Sequence, residues 1–197
     1  MIQKPTMPAT TVDISELAFA PVLTTSKGSK QLPALFKDGS PVTWQADSME
    51  IPFEPSAFGD AEAVRVTLCL NPTESVCATI AAIDEWCIKT LSANPTSLIG
   101  IQLTPDQVRE RYTSALKHSD KGYKTLRLKM NRAGRYALQL YTPEKERRCH
   151  PDAWRGCRVQ PLITLKGLWL MNKDFGPLLK VQHAILEEGG HGDDCPF

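Results

Sequence analysis

Beyond Asp120 the apolar residues fall into a two-residue period, and that alternation limits the folds open to the chain more than any other feature. Segments 123–130 and 135–141 read as a hairpin turning at Asn131-Arg132-Ala133-Gly134. Segments 159–171 and 178–186 read as a second hairpin, turning across Asn172-Lys173-Asp174-Phe175-Gly176. Successive strand side chains point to opposite faces. Leu126, Leu128 and Met130 are therefore expected on a core face with Tyr136, Leu138 and Leu140. Tyr123, Thr125, Arg127 and Lys129 would share the solvent face with Arg135, Ala137, Gln139 and Tyr141.

The first half gives shorter extended pieces. Segment 64–70 alternates cleanly, and 42–45 and 49–53 are strand candidates between the turn sequences Lys27-Gly28-Ser29-Lys30 and Lys37-Asp38-Gly39-Ser40. Two helices follow, near 72–93 and 104–118. Asn71-Pro72-Thr73-Glu74 and Thr104-Pro105-Asp106-Gln107 share one start pattern, a capping residue, a proline and a side chain that reaches back. Val76, Ile80, Ile83, Cys87 and Leu91 then form an apolar helical stripe. Strands, helices and two hairpins in that order predict a mainly β chain with helical insertions (α+β). The expected architecture is an antiparallel, partly open barrel rather than a doubly wound sheet.

With 197 residues the chain suffices for one such domain, expected over 12–186. A flexible leader is expected over 1–11 and an acidic tail over 187–197. The leader has no apolar h-region, and no apolar run approaches the ~20 residues a membrane span needs. The expectation is an intracellular protein of nucleus or cytoplasm with no membrane contact.

A formal net charge of +1 hides a strong asymmetry. Residues 117–173 hold 14 Lys/Arg against 4 Asp/Glu, whereas 1–116 hold 8 against 13 and 174–197 hold 1 against 5. A basic block followed by an acidic end is the pattern of a polyanion binder. An ordinary solvated charged face is the alternative. On the outward face of the first hairpin, cations would follow phosphates while Tyr123 and Tyr141 offered stacking surfaces for exposed bases, worth ~1–3 kcal/mol each. The loop 145–158 adds five Lys/Arg and Trp154, whose ring in a basic loop suits base stacking better than a core. Trp169 shares its parity with Val159, Ile163 and Leu165 and belongs to the core unless Gly167 introduces a bulge. Trp86 reads as core, and Trp44 and Phe53 as groove-wall candidates.

The candidate nucleic-acid-binding set is thus Lys121, Tyr123, Lys124, Arg127, Lys129, Arg132, Arg135, Tyr141, Arg147, Arg148, Trp154, Arg155 and Arg158. Catalytic signals are absent: no phosphate-binding loop, no G-x-S-x-G, no HExxH, and four scattered histidines. Cys149, His150 and Cys157 lack the paired C-x2-C spacing of a closed tetrahedral site. Neither metal nor cofactor is expected, nor enzymatic activity.

Two resemblances add to this reading. The end Asp193-Asp194-Cys195-Pro196-Phe197 resembles the acidic tip of bacterial single-stranded DNA-binding proteins, with Asp193, Asp194, Pro196 and Phe197 matching its pattern. That likeness implies docking of replication or repair proteins by the tail. The body is similar to the OB-fold single-stranded DNA-binding proteins of algal and other large DNA viruses. It is so through an Ile14-Ser15-Glu16-Leu17-Ala18-Phe19 strand, Met49-Glu50-Ile51-Pro52-Phe53, a helix with Ile83-Asp84-Glu85, the 123–129 strand and Gly167-Leu168-Trp169-Leu170. This implies an OB-like barrel that binds and protects single-stranded DNA, with little sequence preference, in replication, recombination or repair. An RNA-binding OB module and a non-enzymatic protein-interaction adaptor are the alternatives, and homo-oligomerisation is left open.

Overall fold

The computed structural model describes residues 11–25, 28–57, 60, 63–120, 122–172 and 174–187. The leader over 1–10, Lys121 and the tail residues Asp193, Asp194, Pro196 and Phe197 lie outside the described residues.

A short 3-10 turn at Ile14–Glu16, capped by the Asp13 side chain, leads into β1 (Leu17–Phe19), so only the second half of the expected Ile14–Phe19 strand is extended. β2 (Leu23–Thr24), β3 (Lys30–Phe36), β4 (Val42–Gln45), β5 (Met49–Glu50) and β6 (Arg65–Leu70) follow. The helices are α1 (Glu74–Ala93), α2 (Pro95–Ile99) and α3 (Pro105–Arg111). β7 (Leu116–His118), β8 (Lys124–Asn131), β9 (Gln139–Tyr141), β10 (Arg147–Arg148), β11 (Arg158–Met171) and β12 (Asp174–Glu187) complete the described chain.

The strands form one curled sheet with the path β1-β3-β11-β12-β8-β6. It is a half-barrel, mainly β with helical insertions and OB-like. Most pairs are antiparallel, but β12 meets β8 at Lys180↔Lys129 and β9 at 183–185 in parallel, a departure from the all-antiparallel expectation. The long pair β11–β12 is its spine: β3, β4 and β5 stack along one side of β11, and β8 and β9 along the far side of β12.

Thr73, rather than Asn71, caps α1, its Oγ1 accepting from the Val76 N–H. Ile80, Ile83, Cys87 and Leu91 are completely buried. Burying such an aliphatic side chain contributes ~1.5–3 kcal/mol, so this stripe fastens the helix to the barrel core. Phe19 on β1 packs against Trp86 on α1 with ring centroids 4.5 Å apart. At α3 the expected capping box is present, Thr104 and Gln107 each bonding the other's backbone N–H. That helix stops at Arg111 instead of running to 118. The Tyr112 hydroxyl donates to Asp84 Oδ1 at 2.6 Å and the Thr113 N–H donates to the Phe175 carbonyl, which pulls the chain out of the helix. Leu116–His118 then satisfies its backbone as β7 against Lys124–Leu126.

The first predicted hairpin does not form. β8 pairs with β6 over six residues, from Arg65↔Asn131 to Leu70↔Leu126, and β9 pairs with β10 and β12. Residues 132–138 loop between them, so Tyr136 is exposed rather than in the core. The inward set Leu126, Leu128 and Met130 is buried as expected, but Thr125 is buried with it. The second hairpin is longer than its sequence reading: β11 ends at Met171 and β12 resumes at Asp174, with Asn172 at φ 57°.

Candidate nucleic-acid interface

Alternation along β11 buries Val159, Ile163 and Leu165 and turns Gln160, Leu162, Thr164 and Lys166 outward. Between Leu165 and Leu168 the register shifts at Gly167, whose φ is +126°. A Cβ at this glycine would run into the Leu32 carbonyl oxygen and the Pro33 Cα, so only glycine lets β3 approach so closely. The bulge inverts the parity that follows. Leu168 points into the core and Trp169 onto the outer face, where its ring lies over Gly176. The condition attached to Trp169 in the sequence is met.

The outer face is concave here. Two adjoining cavities of about 990 and 510 Å3 share Gln31, Arg65 and Leu178 and have β11–β12 as their floor. Four cations gather along it. Arg65 stands at the start of β6, Lys129 on β8 and Lys180 on β12, the last two directly opposite in the parallel bridge, with Lys166 on β11. Burial holds the Lys129 ammonium below the usual lysine range, with Arg65 and Arg127 adding to the shift. Burial likewise lowers Lys180, followed by Lys166 and Arg65. None of Arg65, Lys129, Lys166 or Lys180 has a carboxylate ion pair among the described residues. Cations crowded by one another and not ion-paired make a strip of positive potential suited to a chain of phosphates, although the Asp174 carboxylate also lines the larger cavity.

Aromatic surfaces border the strip. Tyr136, 54% exposed, lies between Arg135 and Lys180, whose cationic atoms are 5.7 and 5.1 Å from its ring centroid. Tyr141 is half-buried and donates to Gln139 Oε1 at 2.8 Å, with its ring 6.0 Å from that of His183 on β12.

The sequence-predicted residues divide between this groove and other places. Arg127 and Lys129 are exposed on the outer face of β8, opposite Cys69 and Thr67, and Lys129 Nζ donates to Thr67 Oγ1 at 2.7 Å. Tyr123 and Lys124 are exposed at the β7–β8 turn, and Arg135 is exposed next to Tyr136. Arg132 donates to the Pro55 carbonyl. Arg147, opposite Tyr141, extends the outer face across β10, where Arg148 is half-buried opposite Leu140.

Beyond lies the 151–158 turn, whose electrostatics differ. Glu54 accepts the backbone N–H groups of Trp154 and Arg155, and Arg158 meets Glu187 at 3.7 Å and donates to the Ser48 carbonyl. Trp154 is corrected outright. It is 7% exposed, edge-on to His150, and its ring is part of the core. Trp44 is also core rather than groove wall, whereas Phe53 is exposed.

Arg65, Lys166, Lys180, Tyr136 and the outward placement of Trp169 were missed or left conditional in the sequence. Parity along 159–166 was available to find Lys166, and the alternation of 64–70 likewise turned Arg65 outward with Thr67 and Cys69. Among the described residues, no cluster of three or more His, Cys, Asp or Glu is placed to hold a metal. No described helix is long and apolar enough to cross a membrane.

No family model matches the sequence, and no curated protein matches it. Solved structures do resemble the fold. The single-stranded DNA-binding protein gp2.5 of bacteriophage T7 aligns with a TM-score of 0.53 at 10% identity, over 80% of this chain and 92% of its own. The single-stranded DNA-binding protein of bacteriophage Enc34, in complex with ssDNA, aligns with a TM-score of 0.49 at 15% identity, over 90% and 97%. At 10% identity the T7 likeness is one of fold: this chain is an OB-like half-barrel similar in architecture to that phage protein.

Proposed function

We propose that the groove over β11–β12 binds single-stranded DNA with little sequence preference. The observation that carries this reading is the crowding of Arg65, Lys129, Lys166 and Lys180 along one concave strip with no carboxylate ion pair among the described residues. A polyanion relieves that crowding, and aromatic rings at the border, Trp169 and Tyr136, give bases a surface that does not distinguish sequence. Tyr123, Lys124, Arg127, Tyr141 and Arg147 extend the same reading outward. The fold likeness to the T7 protein, which is described as a single-stranded DNA-binding protein, supports it. In this reading the protein coats and protects exposed strands in replication, recombination or repair, as a non-catalytic intracellular protein. Asp193, Asp194, Pro196 and Phe197 would recruit partner proteins.

The test is a titration of fluorescently labelled oligo-dT followed by anisotropy at two salt concentrations. Affinity is expected to fall with salt at a slope of ~0.7 per phosphate neutralised. A duplex of the same sequence should bind more weakly, and equal or tighter duplex binding refutes the single-strand assignment. Competition with a matched RNA oligomer decides which nucleic acid is preferred.

A further inference from the structure

Asp84 is a half-buried carboxylate that the groove leaves unused. It stands on α1 next to the apolar stripe and has no ion pair among the described residues, with Glu85 and Lys117 as its charged neighbours. Its Oδ1 accepts from the Tyr112 hydroxyl and its Oδ2 from the Ser114 hydroxyl, each at 2.6 Å. Ser114 Oγ in turn accepts from the Leu116 N–H at 3.0 Å. Burial raises the Asp84 carboxyl above the usual carboxylate range, and the Ser114 and Tyr112 hydroxyls act against that shift. Two short bonds to one carboxylate fasten the 112–116 connection to α1.

The same connection is stitched to the floor of the groove. The Thr113 N–H donates to the Phe175 carbonyl at 2.8 Å, and Tyr112 bridges Phe175 in parallel. The Ala115 carbonyl accepts from the Arg127 N–H of β8 at 3.1 Å. A Cβ at Gly176 would run into the Thr113 carbonyl oxygen and come within 3.0 Å of the Trp169 indole. The connection and the indole therefore fill one space beside Gly176, and the setting of the ring depends on where Thr113 lies.

We propose that Asp84, itself outside the groove, is a positioning residue for it: by fastening Tyr112 and Ser114 it fixes Thr113, and Thr113 sets the ring of Trp169. The proposal rests on the groove being a single-stranded DNA path and adds which side chain beneath the floor holds its shape. A carboxylate suits this place because it accepts two hydroxyls at once, which no aliphatic residue of the α1 stripe can do. A binding surface keeps its geometry only when the layer behind it is held as well.

The full chain is titrated with oligo-dT by anisotropy, and tryptophan emission of the free protein is recorded in a Trp86→Phe background. That background removes the tryptophan nearest Asp84 in sequence, and Trp44 and Trp154 are buried, so a change in emission reports Trp169. Asp84→Ala is expected to shift the emission and to weaken oligo-dT about fivefold with the salt slope unchanged, since Arg65, Lys129, Lys166 and Lys180 stand on other strands. Asp84→Asn keeps an acceptor for Tyr112 and offers an N–H to Ser114, so it should restore both affinity and emission. Tyr112→Phe and Ser114→Ala each remove one bond and should shift the emission in the same direction with about a twofold loss of affinity. They carry the test should Asp84→Ala not fold. Urea denaturation fixes the conditions under which every variant is folded, and affinities are compared there. The proposal is overturned if the folded variants bind oligo-dT and emit as the unsubstituted chain does, which would leave Asp84 a residue of stability alone. It is equally overturned if Asp84→Asn loses as much as Asp84→Ala, or if the salt slope changes with the affinity. Failure of the unsubstituted chain to bind oligo-dT would instead overturn the groove reading, and this one with it.

Discussion

Arg65, Lys129, Lys166 and Lys180 face one another across β6, β8, β11 and β12, and the two lysines that share the parallel bridge hold their protons less tightly than ordinary lysines. At the other end of β11, Arg158 faces Glu187 and Ser48, and Glu54 occupies the turn that carries Arg155. Both regions are rich in cations in the sequence. Among the described residues of these two regions a cation–carboxylate pair forms only in the second, Arg158 with Glu187. The first gathers four cations with no ion pair and with fewer residues per segment of chain. What separates them is how strands from distant parts of the sequence converge, so a local count of Lys and Arg measures neither the potential nor its location.

The bulge at Gly167 creates the first region, so it is the place to break the contrast most severely. Gly167→Ala puts a methyl group against the Leu32 carbonyl on a backbone with φ +126°. A loss of about 3 kcal/mol is expected, because the clash is with backbone that has no rotamer to escape into. Urea denaturation measures it, and a loss below about 1 kcal/mol would mean that β3 shifts to accommodate the methyl. Next in size is charge reversal within the groove. The double variant Arg65→Glu/Lys180→Glu should weaken oligo-dT about a hundredfold at low salt and flatten the salt dependence by ~1.4, two phosphates' worth. An unchanged slope would place the phosphates elsewhere.

Much of the architecture was legible. The 3.6-residue stripe of α1 and the capping box of α3 are local signals, and the structure uses both. So are the alternation of β11 up to the Gly167 bulge and the inward set of β8. The hairpin at 123–141 failed for a non-local reason. Residues 65–70 offer β8 six paired residues from earlier in the chain, and no feature of the 131–134 turn reveals that competitor. Tyr136 and Trp154 exchanged roles on the same ground. Parity assigned Tyr136 to a strand that does not exist, and loop composition assigned Trp154 to solvent although Glu54, a hundred residues away, fixes its backbone against the core. For the site, β8 cations were readable from alternation, but their juxtaposition with Arg65 and Lys180 depends on sheet order, which one-dimensional spacing does not contain.

Protonation offers a smaller and more discriminating test. Burial and neighbouring cations disfavour the charged forms of Lys129 and Lys180, so in the free protein they release protons at lower pH than an unfolded chain would. A bound phosphate restores the charged forms. Binding should therefore take up protons in the window between the lowered values and the ordinary lysine value, and affinity should fall as pH rises through it. Folding stability has the opposite sign there, rising with pH because the unfolded chain binds more protons than the folded one. Calorimetric titration with oligo-dT in two buffers of different ionisation enthalpy measures the uptake. Lys129→Arg/Lys180→Arg should abolish it while retaining binding.

The smallest effects are expected at the other end of β11, and they decide where the interface stops. Arg155→Gln and Arg158→Gln should each change oligo-dT affinity by less than about threefold at physiological salt, since exposed charges outside the contact act only through a screened field. Arg147→Gln is the informative member of the series, because Arg147 stands opposite Tyr141 on the outer face that continues from Lys180 through His183. A loss confined to long oligomers at Arg147 would show the strand passing over β9 and β10 after it leaves the groove. An equal loss at Arg158, whose guanidinium is already engaged by Glu187, would erase the distinction between the two regions. It would show that nucleic acid can displace that carboxylate.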